Sequence, residues 1–141
     1  MNLLLDTNVL SEVQRPAPSP SVLAWLDTID EDRAFISVAS IAELRRDIAL
    51  LDDGRRRAAL AAWLAHDLPE RFSGRILPIS QAVAERWGDL MAQSRRSCVA
   101  LSVMDGFFAA TALSNDLTLM TRNVKDFAAF GVTLLNPWDG P

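Results

Sequence analysis

MNLLLDTNVL, residues 1–10, decides the architecture. Leu3-Leu4-Leu5 is apolar at every position and Asp6 ends the run at once. Asn2–Asp6 therefore reads as a short buried strand, bounded by a charge. A carboxylate straight after three leucines has to stand at the rim of the core, because an ionised group inside it would cost several kcal/mol, on the order of the whole stability of a domain. Thr7 and Asn8 follow, and a helical turn is expected from Asn8 to Gln14.

Outward from this strand, the pattern alternates. Arg15–Ser21 (RPAPSPS) is a loop by its prolines. Ser19-Pro20 then reads as an N-cap and first helical residue, and Val22, Trp25, Leu26 and Ile29 lie on one helix face. Ala34–Ser37 is a second strand. The next helix is expected over Val38–Leu51, with Ile41, Leu44, Ile48 and Leu51 in one stripe. After the break at Gly54 a further helix spans Arg55–His66. Arg75–Ile79 reads as a third strand, and Ser80 caps a helix carrying Val83, Trp87, Leu90 and Met91. Arg95–Ala100 reads as polar and irregular. Val103–Asn115 is apolar nearly all round, which places that helix in the interior. Leu117–Thr121 is a fourth strand, Asn123–Phe130 a loop and short helix, and Val132–Leu135 a last strand. Strands and helices in alternation imply an α/β fold with a central parallel sheet of about five strands and right-handed crossovers.

The bulk properties fit one domain over residues 1–141, large enough for a core without disulfides. Half of the residues are hydrophobic, which argues against disorder. The net charge of −4 argues against a broad basic nucleic-acid surface. One cysteine, Cys98, cannot close an intrachain disulfide and favours a reducing compartment. The N-terminus has no basic, leader-like region, and no stretch reaches the roughly 18 apolar residues of a membrane span. A soluble, cytoplasmic protein is the expectation. His66 is the sole histidine, so a His/Cys zinc site cannot be assembled within one chain. A catalytic triad would have to use His66, which reads instead as a helix-end residue.

Acids carry the remaining chemistry. Parallel sheets bind ligands at the carboxyl ends of their strands. Asp6 ends strand one, Glu43 lies in the first turn of the helix after strand two, Asp105 opens the buried helix before strand four, and Asp126 follows that strand by five residues. All four are placed to gather at one sheet edge. Clustered carboxylates repel and raise one another's pKa, and a hard divalent cation such as Mg²⁺ or Mn²⁺ relieves that repulsion. Such an ion acidifies water and neutralises charge on a phosphate. Each acid also has a plainer reading. Asp6 would cap the turn at Thr7. Ser40-Ile41-Ala42-Glu43 fits a capping box. Asp105 fits an N-cap, and Asp126 a cap for Phe127–Phe130. Of the arginine groups, Arg45-Arg46, Arg55-Arg56-Arg57 and Arg95-Arg96, the last is the best placed to border the site, although solvated helix faces are the ordinary reading of all three.

LLLDTNVLSE (Leu3–Glu12), SVASIAELRRDIALL (Ser37–Leu51), MDGFFAATAL (Met104–Leu113) and LTLMTRNVKDF (Leu117–Phe127), in this order, resemble PIN-domain proteins of the VapC toxin type. The FitB-like branch also shares the ending Asn136-Pro137-Trp138. The resemblance covers essentially the whole chain. It implies a PIN-like fold and a Mg²⁺- or Mn²⁺-dependent endoribonuclease acting on structured RNA of the tRNA or rRNA class. It further implies a toxin held by a cognate antitoxin, a homodimer, and a heterotetramer or larger assembly with that antitoxin. It makes Asp6 and Asp105 the principal metal ligands and Glu43 the third acid, with Thr7 and Asn8 in support. Where some relatives carry an acid after Thr-Arg, this chain has Asn123, so Asn123 and Asp126 compete for the fourth place. Arg122 either pairs with an acid or faces a phosphate. Two other readings share these features: a PIN-like module that has lost catalysis and binds protein, and a phospho-receiver-like signalling domain. The receiver reading lacks a second acid at the end of strand one and an aspartate after strand three, where Ile79-Ser80 stands.

Overall fold

A computed structural model describes all of residues 1–141. Five parallel strands, β1 (Leu3–Leu5), β2 (Ala34–Ser37), β3 (Ile76–Leu77), β4 (Thr118–Met120) and β5 (Leu134–Leu135), are arranged in the order β3-β2-β1-β4-β5. β1 is central. The chain winds outward through β2 and β3, then crosses back to β4 and β5, so the direction of winding reverses at the β1–β4 junction. That reversal opens a crevice at the carboxyl ends of the two strands.

β1 shows why a wholly apolar run is required. Leu3 and Leu5 are buried in the core on one face of the sheet, and Leu4 in the core on the other. The same alternation continues in β4, where Leu119 and Met120 belong to opposite cores. α1 (Thr7–Val13), α2 (Pro20–Thr28), α4 (Arg55–Ala62) and α5 (Leu68–Arg71) pack on the first face. α6 (Gln81–Ser97), α7 (Val103–Ser114) and α8 (Val124–Phe127) pack on the second. α3 (Val38–Ala49) touches both, through Leu44 and Ile48 on one side and Ala39 on the other. α7 is buried through Phe108, Ala109, Ala110 and Ala112, as its composition predicts.

The strands are shorter than expected, most clearly at β3, where only Ile76 and Leu77 of the predicted Arg75–Ile79 pair with a neighbour. The helix expected to end at His66 continues instead to Arg71 through a π-helical turn, Trp63–Asp67. Pro69 explains the widening. Its ring would clash with the carbonyl of Ala65 four residues back, and it has no N–H to offer it. The Leu68 N–H reaches back five residues to the Trp63 carbonyl, and the helix passes the proline unbroken. His66 is exposed on this turn. Arg95–Ser97, read as irregular, form the last turn of α6, which Cys98 closes at a left-handed φ of 56°.

α6 and α7 pack closely. A Cβ on Gly106 would stand 2.9 Å from the Trp87 indole and 3.0 Å from the Met91 sulfur. Trp87 stacks on Phe107 with ring centroids 5.1 Å apart, and its indole N–H donates to the Val103 carbonyl at 3.0 Å. No helix is long and apolar enough to cross a membrane.

Candidate active site

Each acid is delivered by the element that precedes or carries it. The register pairs Leu5 with Met120, so the residues that follow, Asp6 and Thr121, emerge side by side at the β1–β4 crevice. The Asp6 backbone N–H still donates to the Met120 carbonyl at 2.9 Å, which holds Asp6 at the sheet edge while its side chain turns into the cleft. Asp6 also caps α1: one carboxylate oxygen, Oδ1, accepts the Thr7 N–H at 2.7 Å. The capping reading and the cleft position thus coexist, because a carboxylate has lone pairs for both. Oδ2 accepts the Thr121 hydroxyl at 2.7 Å and the Asn8 amide at 3.3 Å.

Glu43 comes from the second turn of α3, not the first as expected, because the helix already starts at Val38. Ser37, not Ser40, caps that helix by accepting the Ala39 N–H at 3.0 Å. The expected capping box does not form. Glu43 instead accepts the Thr7 hydroxyl at 2.7 Å, and the Ser40 hydroxyl, 2.9 Å from the Thr7 oxygen and free to donate to it, ties α1 to α3. Asp105 lies in the first turn of α7. The cap there is Ser102, whose hydroxyl accepts the Asp105 N–H at 3.1 Å, so the Asp105 carboxylate is not used as an N-cap.

Asp6, Glu43 and Asp105 line one cleft of about 500 Å³, together with Thr7, Asn8, Glu12, Arg15, Asp47, Arg56, Arg122, Asn123 and Trp138. Asp126 is not in that lining. It sits within α8, whose N-cap position is Asn123, and it is exposed. Its charge nevertheless reaches Asp105. Asn123 does line the cleft, and its backbone N–H donates to the Thr121 hydroxyl at 3.0 Å.

The electrostatics are those of acids held against their preference. Asp6 is 5 % exposed. Its pKa is raised from 3.8 to about 6: burial pushes it up most, the bonds from Thr121 and Thr7 pull it back in part, and the charges of Asp105 and Glu43 add to the rise. Asp105 is raised too, chiefly by burial, with the Ser102 hydroxyl opposing and Asp126 and Glu43 adding repulsion. As the side chains stand, no three acidic, histidine or cysteine groups enclose a metal-sized point. The donor set still fits a small hard cation. All the groups are oxygen donors, mutual repulsion awaits a positive charge, and Mg²⁺ characteristically binds through one or two carboxylates while keeping several waters.

Several lining residues escape a reading of the sequence. Thr121, buried behind the lining, escapes it as well: its signal is that it follows β4 as Asp6 follows β1. Among the lining residues proper, Glu12 is a buried carboxylate that accepts the Ser19 N–H at 3.0 Å and pairs with Arg15 at 3.2 Å, holding the proline loop against α1. Trp138 enters from the far C-terminus. The arginine group at the cleft is Arg55–Arg57, through Arg56, and not Arg95-Arg96. Arg96 borders a separate surface hollow with Asp89, Gln93 and Ser97.

A parallel five-stranded sheet with acids gathered where its winding reverses is the architecture of a PIN domain, and residues 3–132 match that family. The chain belongs to the PIN-domain family. It is 38 % identical to toxin FitB of Neisseria gonorrhoeae over 136 residues, covering 96 % of this chain and 98 % of that one. It is 38 % identical over 137 residues to plasmid stability protein StbB of Pseudomonas syringae pv. tomato, covering 97 % and 99 %. VapC ribonuclease Y4jK of Sinorhizobium fredii is 34 % identical over 137 residues, covering 97 % and 98 %. Among solved structures, the FitAcB crystal structure from N. gonorrhoeae superposes with a TM-score of 0.91 over 96 % of this chain and 98 % of that one, at 38 % identity.

Proposed function

We propose that this protein is a metal-dependent endoribonuclease, the toxin of a toxin–antitoxin pair, that hydrolyses phosphodiester bonds of structured RNA. The observation that carries the reading is Asp6: a buried carboxylate with its pKa raised to about 6, sharing a cleft with Glu43 and Asp105. A protein retains so unfavourable a charge where a cation is to be bound. The relatives named as a VapC ribonuclease and as toxin FitB support RNA as the substrate and a toxin as the biological setting.

In this reading Asp6, Glu43 and Asp105 hold Mg²⁺ or Mn²⁺, and Asp126 and Asn123 act from the far side of the site, Asp126 by its charge and Asn123 through the Thr121 hydroxyl. A bound ion supplies acidified water and neutralisation of phosphate charge. Thr7 orients Glu43, while Asn8 and Thr121 orient Asp6, so the acids meet the ion in one arrangement. No histidine takes part. An antitoxin partner is supported by the 38 %-identical relative solved as FitAcB. An arginine-bearing antitoxin segment suits an acidic cleft. A homodimer, a heterotetramer or larger complex, one folded unit over residues 1–141 and a cytoplasmic location complete the reading.

Incubation with total RNA tests it, with Mg²⁺ or Mn²⁺ and with EDTA. Cleavage is expected only with metal, and the Asp6→Asn protein is expected to be inactive. Equal cleavage by that variant would remove Asp6 from the site. Catalytic decay into a protein-binding module would instead show as no Mn²⁺ uptake in calorimetric titration.

A further inference from the structure

Arg122 is an exposed cation in an acidic cleft, and it makes no ion pair there. Asp6, Glu12, Glu43, Asp47 and Asp105 line the same space. The ion pairs that form are Arg15–Glu12, Arg46–Asp47, Arg57–Asp53 and Arg71–Glu31. What Arg122 contacts is an aromatic ring: its guanidinium carbon lies 5.1 Å from the centroid of the Trp138 ring. Its N–H groups find no protein acceptor, so the side chain is positioned by one face while its donors stay free.

Both supports of this arrangement are fixed. Trp138 packs against the core beside α2, its backbone N–H donates to the Asn136 side chain at 3.0 Å, and Pro137 before it is buried. The Arg122 backbone N–H donates to Asn8 Oδ1 at 3.4 Å, and the Asn8 amide donates to Asp6. Two hydrogen bonds therefore set Arg122 in register with the buried acid. A guanidinium is charged at every accessible pH and offers a planar fork of donors that matches a phosphate. Stacking on an indole lowers the entropy lost when that fork is engaged.

We propose that Arg122, held over Trp138, is the residue that receives a backbone phosphate of the RNA at the β4 side of the cleft, with Trp138 as its positioning residue. The inference rests on the ribonuclease reading. It accounts for how a chain of net charge −4 retains a polyanion beside its acids. It also assigns the indole: one face is covered by Arg122, so the ring serves the arginine and not a nucleobase.

The test uses bulk tRNA as probe. Binding is measured with Ca²⁺ as the divalent ion, from about 50 to about 200 mM KCl, and KM and kcat with Mg²⁺ or Mn²⁺. Arg122→Ala is expected to reduce the slope of log K against log salt by about 1. It is also expected to raise KM by about three- to tenfold and leave kcat within about twofold. Arg122→Lys, which keeps the charge, should restore the salt slope. Trp138→Phe should raise KM in the wild-type background and have no further effect on Arg122→Ala. An unchanged salt slope and KM in Arg122→Ala overturns the inference while the ribonuclease reading stands, and a loss confined to antitoxin binding does the same. A wild-type protein with no affinity for RNA overturns both.

Discussion

At Asp6, stability and the proposed function oppose each other. The folded pKa of about 6 exceeds the unfolded value of 3.8, so between these values the folded state binds more protons than the unfolded one. Metal-free stability therefore falls as pH rises through that window. The loss at neutral pH amounts to about 3 kcal/mol for Asp6, and Asp105 acts in the same direction. Asp6→Asn is expected to abolish cleavage, to stabilise the metal-free protein at pH 7 by about 1–3 kcal/mol and to flatten this pH dependence. Thermal melts in EDTA from about pH 4 to about pH 8 check it; an unaltered pH slope in the variant would show that Asp6 is not the destabilised group. Thr121 is the complementary case. Thr121→Val keeps the shape and removes the hydroxyl that donates to Asp6 and accepts from Asn123. It is expected to cost about 1–3 kcal/mol of stability and about ten- to a hundredfold in metal affinity, read by urea unfolding and Mn²⁺ titration.

At the scale of elements, each helix that presents a site residue has a distinct anchor. α1 is capped by the site itself, since Asp6 bonds to its first N–H. α3 and α7 are capped by serines, Ser37 and Ser102, which leaves Glu43 and Asp105 free for the cleft. α7 is further located by its close approach to α6 at Gly106. Gly106→Ala is expected to displace the Trp87 ring, which its stacking and its bond to Val103 hold in place. The gain in helix propensity of about 1 kcal/mol is outweighed by overpacking, for a net loss of about 1–2 kcal/mol, with reduced activity because Asp105 is the adjacent residue. Calorimetric melting checks the stability arm; an unchanged or raised Tm would show that α6 accommodates the methyl group. Amphipathic spacing located these helices within a few residues. It missed the extension past Pro69, because a wider turn relieves the clash that local rules treat as a stop.

For the molecule as a whole, the cleft exists only when the sheet is complete. The Asp6–Thr121 hydrogen bond joins residues 115 apart, and Thr7–Glu43 joins residues 36 apart. An ion bound there is bound by the folded state alone, so it stabilises through mass action. Mg²⁺ or Mn²⁺ at about a hundred times its Kd is expected to add about 2.7 kcal/mol, visible as a raised Tm that Asp6→Asn removes. A Tm insensitive to both ions in the wild type would argue against the metal site.

Local sequence determines much of this protein. Leu3–Leu5 can only be a strand covered on both faces, the alternation of strands and helices dictates a parallel sheet, and Asp6, Glu43 and Asp105 stand at positions that bring acids to its carboxyl edge. These follow from burial and periodicity, which act over a few residues. The strand order β3-β2-β1-β4-β5, and with it the crevice between β1 and β4, was not legible, since pairing between distant strands leaves no local trace. Only the tertiary structure places Thr121 beside Asp6, turns Glu43 from a helix cap into an acceptor for Thr7, and leaves Asp126 outside the cleft lining. It also brings Trp138 under Arg122. The physical reason is the same in each case: a side chain's hydrogen-bond partner is chosen by register and packing across the whole sheet, while its own neighbours in sequence decide only where it starts.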